Sequence, residues 1–283
     1  MEEKFLLGTC AWSFEDWRGV FYPEHLPPNA WLAHYSERFS SVEVDSTFYH
    51  APSPQVAGHW LDATPENFVF SPKMPREITH ERKLRNCEEP LAQFLAGIAP
   101  LHRKLGAVLV QLPPYFTIAH DEAALRSFLS NLPGDFRFAV EFRDGGWHVP
   151  RIIHLLEDHR VCWAWTDVTA VERANEAAFE FLPRTTDFIF LRLLGDQSRK
   201  FRGDGSRAFT YREIAWPRDT SLQHWKEKLR AAVEEVARAF VYINNHFEGF
   251  APHSVQRLAD VLRVALPQPP AEPAAPEEQL ELL

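Results

Sequence analysis

FVFSPKMPREITH, residues 68–80, begins as a buried strand and ends as a loop. Side chains alternate along a strand, so Val69, Ser71 and Lys73 share one face and Phe68 and Phe70 the other. An ammonium at the end of an otherwise buried face is costly unless it is paired or put to use. Pro72 and Pro75 flank Lys73. Each proline fixes its own φ and biases the preceding residue toward extended geometry, which suits a strand leaving a sheet.

The same design recurs. Apolar runs at 5–10, 41–45, 68–73, 107–112, 137–143, 161–167, 188–194 and 240–244 alternate with stretches of three-to-four-residue apolar spacing. Leu91, Phe94, Leu95 and Ile98 form one such stretch; Leu222, Trp225, Leu229 and Val233 form another. Strand then helix, repeated about eight times, predicts an α/β fold, a (β/α)8 TIM barrel. An open doubly wound sheet is the competing topology, because periodicity does not show closure. Asn29 and Ser254 stand where N-caps are expected, and Pro54, Pro150 and Pro217 punctuate strand-to-helix connections.

With 283 residues and 45% hydrophobic content, the chain can bury a large core. The reading is one barrel domain over 1–266, followed by a disordered Pro/Glu-rich tail over 267–283. A formal net charge of −9 counts against a surface built wholly for nucleic acid. Three scattered cysteines without C-x-x-C spacing suggest neither a disulfide framework nor a cysteine zinc site. The acidic, Gly8-broken N-terminus does not resemble a signal peptide, and no run is long enough to span a membrane. The expected location is the cytoplasm, with no membrane partner.

Sorting strand faces by parity sends Glu43, Lys73, Gln111, Glu141, Arg143 and Arg192 toward the barrel axis near the C-terminal strand ends. That is where barrel enzymes place their chemistry. Asp167 and Asn244 complete the ring from further strand ends. Trp12, Trp17, Phe48, Tyr49, Tyr115 and Trp147 follow strands and supply ring surfaces, although most aromatic residues belong to the core. The long connection 195–220 carries Arg199, Lys200, Arg202 and Arg207 about a glycine turn, as a binding loop or a solvated one. No G-x-G-x-x-G, P-loop, H-E-x-x-H or G-x-S-x-G motif occurs. No cofactor is expected. A divalent metal on Glu43, His80, Glu141 and Asp167 would be opposed by Lys73, Arg143 and Arg192.

Several stretches in order carry a family resemblance: GTCAWSFEDWRGVFYP (8–23), FSSVEVDSTFYHAPS (39–53), FVFSPKMPREITH, GAVLVQLPPYF (106–116), AVEFRDGGW (139–147), FLRLLG (190–195) and VYINNHFEG (241–249). Together they resemble the domain of unknown function 72, or YecE-like, family. The resemblance runs from Gly8 to Ala259 and implies a TIM barrel but no settled reaction. Its motif positions fall on Glu43, Lys73, His80, Gln111, Glu141, Arg143, Trp147, Arg192 and Asn245. Where the family pattern resembles R-H-x-x-W this chain has Arg143-Asp144-Gly145-Gly146-Trp147; where it resembles R-x-H-G the chain has Arg192-Leu193-Leu194-Gly195.

The expected function is an enzyme, a hydrolase, lyase or isomerase, acting on a small anionic or sugar-like molecule. Glu43, Lys73, His80 and Glu141 are the candidate catalytic residues. Trp12, Gln111, Arg143, Trp147, Arg192, Asn244 and Asn245 are the candidate binding residues. Arg143 and Arg192 would hold a phosphate or carboxylate, Glu141 or Glu43 would move a proton, and Lys73 would stabilise negative charge. The alternatives are a nucleic-acid-binding or endonuclease-like barrel, and a barrel that binds ligand without turnover.

Overall fold

Strand alternation separates two apolar clusters. Cys10, Val69, Ala107, Leu109, Ala139, Cys162, Ala164, Phe188, Phe190, Phe240 and Tyr242 form an inner one. The opposite strand faces, such as Val42, Val44, Phe70, Val108, Val110, Phe138, Val140, Leu191 and Val241, join the helices in the larger outer cluster. The protein is described from a computed structural model over residues 2–167, 182–196 and 209–269.

Within those residues the strands are β1 (Phe5–Thr9), β2 (Ser41–Val44), β3 (Val69–Pro72), β4 (Ala107–Gln111), β5 (Arg137–Glu141), β6 (Cys162–Trp163), β7 (Trp165–Thr166), β8 (Phe188–Leu193) and β9 (Arg238–Ile243). Every ladder is parallel. They form three sheets, β1-β9-β8-β7, β2-β3 and β4-β5-β6. Single parallel bridges, Cys10 to Glu43 and Lys73 to Leu109, join β1 to β2 and β3 to β4 at their ends. The expected strand at 161–167 is divided at Ala164. Cys162–Trp163 pairs with β5 and Trp165–Thr166 with β8, while Ala164 N–H donates to Val140 O at 2.9 Å.

The helices are α1 (Trp31–Ser36), α2 (Pro54–Asp62), α3 (Glu88–Ile98), α4 (Ile118–Ser130), α5 (Pro150–Asp158), α6 (Asp219–Val233) and α7 (Ala251–Leu262). Leu91, Phe94, Leu95 and Ile98 of α3, and Leu222, Trp225, Leu229 and Val233 of α6, are buried as their spacing requires. Pro54 and Pro150 occupy first turns, where the missing N–H costs nothing.

The two N-cap expectations fail. Asn29 lies inside a 3-10 turn, Pro28–Ala30, so Ala30 precedes α1. Ser254 sits within α7, and its hydroxyl donates back to Phe250 O at 3.2 Å. In both cases a proline at the first or second helical position sets the boundary instead.

Gly8 shows how tightly β1 meets β2. A Cβ there would stand 1.8 Å from Ser41 O. The tail expected from 267 lies outside the described residues from 270 onward. No helix among the described residues is long and apolar enough to cross a membrane.

Candidate functional site

The charged residues that parity sends to one strand face meet one another at the C-terminal strand ends. Arg192, on β8, grips Glu43, on β2, in a two-pronged pair, with Nε to Oε2 and Nη2 to Oε1 both at 2.7 Å. Its Nη1 donates to Oε2 of Glu141, on β5, at 2.7 Å. The other Glu141 oxygen accepts from Arg143 Nε. One guanidinium therefore bridges two carboxylates, and a second guanidinium closes the row.

Burial along the row is uneven. Glu43 and Glu141 are 0% exposed and Arg192 2%, while the Arg143 side chain keeps 19%. Arg143 Nη1 and Nη2 make no hydrogen bond among the described residues. Planar forks of this kind match carboxylate and phosphate edges.

The two carboxylates hold their protons differently. Burial pushes Glu141 up, but Arg143, Arg192 and Lys73 overcome it and hold the carboxyl at about 2. Burial also pushes Glu43 up; Arg192 opposes this, Asp45 adds to it, and the outcome is a raised pKa. Environments that drive two neighbouring carboxyls apart separate their chemical roles.

Lys73 pairs with Asp45, Nζ to Oδ1 at 3.1 Å, rather than with Glu43. Its Nζ also lies 4.3 Å from the centre of the Phe48 ring, a cation-π contact. Thr47 fixes the backbone beneath: its Oγ1 donates to Lys73 O at 2.7 Å and accepts from Lys73 N–H at 3.0 Å.

His80 stands half-buried in a short π-helical turn, Glu77–Glu81, with its ring edge-on to Phe48 at 5.0 Å. Nδ1 is 2.8 Å from Thr79 Oγ1, which itself lies 3.2 Å from Pro75 O. The direction of the Thr79–His80 bond follows the imidazole tautomer: where Thr79 donates to Pro75 O, Nδ1 is the donor and Nε2 keeps its lone pair. Burial lowers the imidazole pKa, and Lys73, Arg76 and Arg143 lower it further, to about 4. His80 is thus neutral at pH 7 in a field set by three cations.

The remaining expected residues divide. Gln111, partly exposed, turns its Nε2 onto Leu112 O at 2.9 Å. Trp12 follows Ala11, whose φ is 97°, and meets Trp60 edge-on at 5.7 Å. Asn244 Oδ1 accepts from His246 N–H at 3.0 Å in the loop after β9. Asn245 is buried, and its Oδ1 accepts from Trp17 Nε1 at 3.2 Å and Ala251 N–H at 2.9 Å, tying that loop to α7. Trp147, expected at the mouth, is 0% exposed: it stacks between Phe116 and Phe142 and donates Nε1 to Phe116 O at 2.8 Å. Its position is in the core, because the Gly145-Gly146 turn folds the ring inward.

Asp167 does not join a cation site. Its oxygens accept the N–H groups of Leu194 and Gly195 and pair with Arg218 Nη1 at 3.0 Å. Gly195 needs its left-handed φ of +71°, and a Cβ there would meet His246 O at 2.2 Å. Since the oxygens of Glu43 and Glu141 also point at arginines, the four residues weighed as metal ligands, Glu43, His80, Glu141 and Asp167, do not converge. Among the described residues no group of three or more His, Cys, Asp or Glu is placed to hold a metal ion. Arg199, Lys200, Arg202 and Arg207 lie outside the described residues.

Sequence reasoning missed Asp45 as the Lys73 partner and Cys10 as a neighbour of Glu43. Both lie one step beyond their strands and bear on the network: Cys10 bridges to Glu43, and Asp45 raises the Glu43 pKa. Strand alternation puts Asp45, two residues after Glu43, on the same face, which is the signal the sequence offers.

Residues 6–280 match the family described as "Protein of unknown function DUF72", and the chain belongs to that family. It is 28% identical over 281 residues to the UPF0759 protein YecE of Escherichia coli (strain K12), covering 96% of this chain and 97% of that protein. To the UPF0759 protein YunF of Bacillus subtilis (strain 168) it is 26% identical over 271 residues, covering 91% and 94%. A crystal structure of a DUF72 family protein from Thermotoga maritima superposes with a TM-score of 0.72 at 26% identity, covering 92% of this chain and 99% of that one. The crystal structure of SacUVDE gives a TM-score of 0.51 at 9% identity, covering 93% and 99%, a likeness of fold alone.

Proposed function

We propose, from DUF72 membership and the charged row, that this protein is an enzyme for a small substrate bearing a phosphate or carboxylate, or rich in hydroxyls. Its working end is the mouth at the C-terminal ends of β2, β3, β5 and β8. We also infer that the three sheets close as one (β/α)8 barrel over residues 1–266, with β6 and β7 as one strand. Closure is supported by the single bridges between ladders and by an inner cluster that draws residues from all three.

The observation that carries the proposal is the linked row Glu43, Arg192, Glu141 and Arg143, with Lys73 and Asp45 beside it. A row built only for stability would be an inefficient device, since buried ion pairs recover little more than their desolvation cost. A row that fixes the partly exposed Arg143 fork, with Lys73 acting on the same Glu141 and His80, makes a preorganised anion seat. In this reading Arg143 holds the anion, and Lys73 stabilises negative charge as it develops. Arg192 acts from below, orienting both carboxylates. Glu43, with its raised pKa, is the carboxyl able to take up a proton, whereas Glu141 stays ionised and anchors the arginines. His80 Nε2, neutral at pH 7, accepts a proton or a substrate hydrogen bond at the rim. A hydrolase, lyase or isomerase fits these roles.

The test is calorimetric titration with inorganic phosphate, sugar phosphates and small carboxylates, using the wild type, Arg143→Ala and Lys73→Ala. Arg143→Ala leaves Glu141 paired with Arg192, so the fold is retained. Charge-assisted hydrogen bonds contribute about 1.5–3 kcal/mol, so each substitution should weaken the binding anion by roughly tenfold or more. An affinity unchanged in both variants, or no binding by any member of the panel, would overturn the proposal.

A further inference from the structure

The rim beside the charged row carries aromatic rings that the anion seat alone does not explain. Among the described residues the exposed large hydrophobic side chains are Val20, Val56, Tyr49 (69%) and Tyr115 (54%). Both tyrosines flank Lys73 and His80. Tyr49 meets Phe48 edge-on at 5.2 Å, Phe48 meets His80 at 5.0 Å, and His80 meets Tyr115 at 6.4 Å. The outer rings of this row are open to solvent and its centre lies under the Lys73 ammonium. An exposed tyrosine normally needs no explanation, but two at the ends of one ring row around a cationic mouth do.

Two further features border the row. Lys83 Nζ sits 5.1 Å from the Tyr115 ring centre. Lys83, Leu84 and Asn86 all have left-handed backbone, with φ of 48°, 62° and 51°. Three such non-glycine residues within four positions are uncommon, and strain of this kind persists only where surrounding structure enforces it. On the other side, Tyr49 borders an open cleft of about 570 Å³ lined by His50, Arg76, Glu77, Glu81 and Arg82. Arg76 and Arg82 there are already engaged with Glu81 and Glu77.

We propose that the substrate of this site joins its anionic group to a flat aromatic or heteroaromatic ring, and that Tyr49 or Tyr115 stacks on that ring while Arg143 and Lys73 bind the anion. This rests on the anion seat proposed above and narrows its substrate class. A ring substituent has stacking surface at either tyrosine and room in the cleft beyond Tyr49. A sugar phosphate would satisfy the cations and leave both rings without a flat partner.

The experiment compares phenyl phosphate, glucose 6-phosphate and inorganic phosphate as calorimetric probes of the full chain. Proteins are the wild type, Tyr49→Leu, Tyr115→Leu and the double variant; both sites are exposed, and circular dichroism checks the fold. Wild type should bind phenyl phosphate at least tenfold more tightly than inorganic phosphate, and more tightly than glucose 6-phosphate. The double variant should lose that preference and keep its affinity for inorganic phosphate. Equal binding of phenyl and inorganic phosphate, a preference for glucose 6-phosphate, or a ring preference that survives the double substitution would each overturn this inference. If inorganic phosphate still binds in an Arg143-dependent way, the anion seat survives that outcome; if no anion binds at all, both fall.

Discussion

Replacing Arg192 by methionine should expose the energetics of the row more directly than any other change. Arg192 is 2% exposed and, among the described residues, is the one cation bonded to both Glu43 and Glu141. Glu141 keeps Arg143, so the damage concentrates on Glu43, whose oxygens both face the missing group. Removing one partner of a buried pair costs about 3–5 kcal/mol. At about 2–4 °C per kcal/mol, that is a melting point lower by roughly 6–20 °C. The loss should depend on pH with a definite sign. In Arg192→Met the folded Glu43 pKa rises further above its unfolded value. The penalty is then full above the folded pKa and fades as pH falls toward the unfolded value, at about 1.4 kcal/mol per unit. Urea denaturation at pH 8 and pH 5, with wild type as reference, reads this difference. Adding Glu43→Gln removes the stranded charge and should recover at least half of the loss at pH 8. A loss below about 1 kcal/mol, a loss equal at both pH values, or a double variant that is merely additive would refute the reasoning.

His80 should titrate near pH 4 by NMR, assigned with His80→Gln, since burial and Lys73, Arg76 and Arg143 hold it at about 4. Because that lies below the unfolded value, the residue should cost stability as pH falls from about 6.5 toward 4; a midpoint above 6 would contradict the geometry. Glu141, held at about 2, contributes stability that is full above its unfolded pKa and disappears as pH falls through 2; Glu141→Gln should therefore flatten the acid limb of a pH-stability curve. Gly8→Ala forces a Cβ to within 1.8 Å of Ser41 O, so it should cost at least the roughly 1–3 kcal/mol of overpacking, and a neutral result would mean that β1 and β2 separate easily. Trp147→Leu should lower stability by about 3 kcal/mol while changing anion affinity less than twofold in the folded protein, as titration calorimetry would show.

Strand parity was readable because a two-residue period is a local property. It put Lys73, Gln111, Glu141 and Arg143 on one side, and it remained valid for Arg192 even though Phe188 and Phe190 share that face in the inner cluster. Partner choice was less readable. Lys73 to Asp45 and Arg192 to Glu43 depend on distances across the sheet interior, which alternation along a strand does not encode. Loop residues were least readable. Trp147 and Asn245 have the chemistry of binding residues, yet the Gly145-Gly146 turn and the start of α7 commit both to holding the fold. The helix starts that were misplaced, at Asn29 and Ser254, belong to the same class, because proline rather than a polar cap sets those boundaries.

The inner cluster has a consequence for traffic. Phe188, Phe190 and Phe240 come from β8 and β9, while Ala107, Ala139, Cys162 and Ala164 come from β4 to β6 and the residue after β6. In the closed barrel proposed above, large rings facing small side chains would fill the space beneath the charged row. Water, protons and solutes would then reach Glu43 and Arg192 from the rim. Whatever occupies the rim then becomes the stopper of a one-ended vessel, so a seated ligand should slow solvent exchange at the Arg192 guanidinium without touching it.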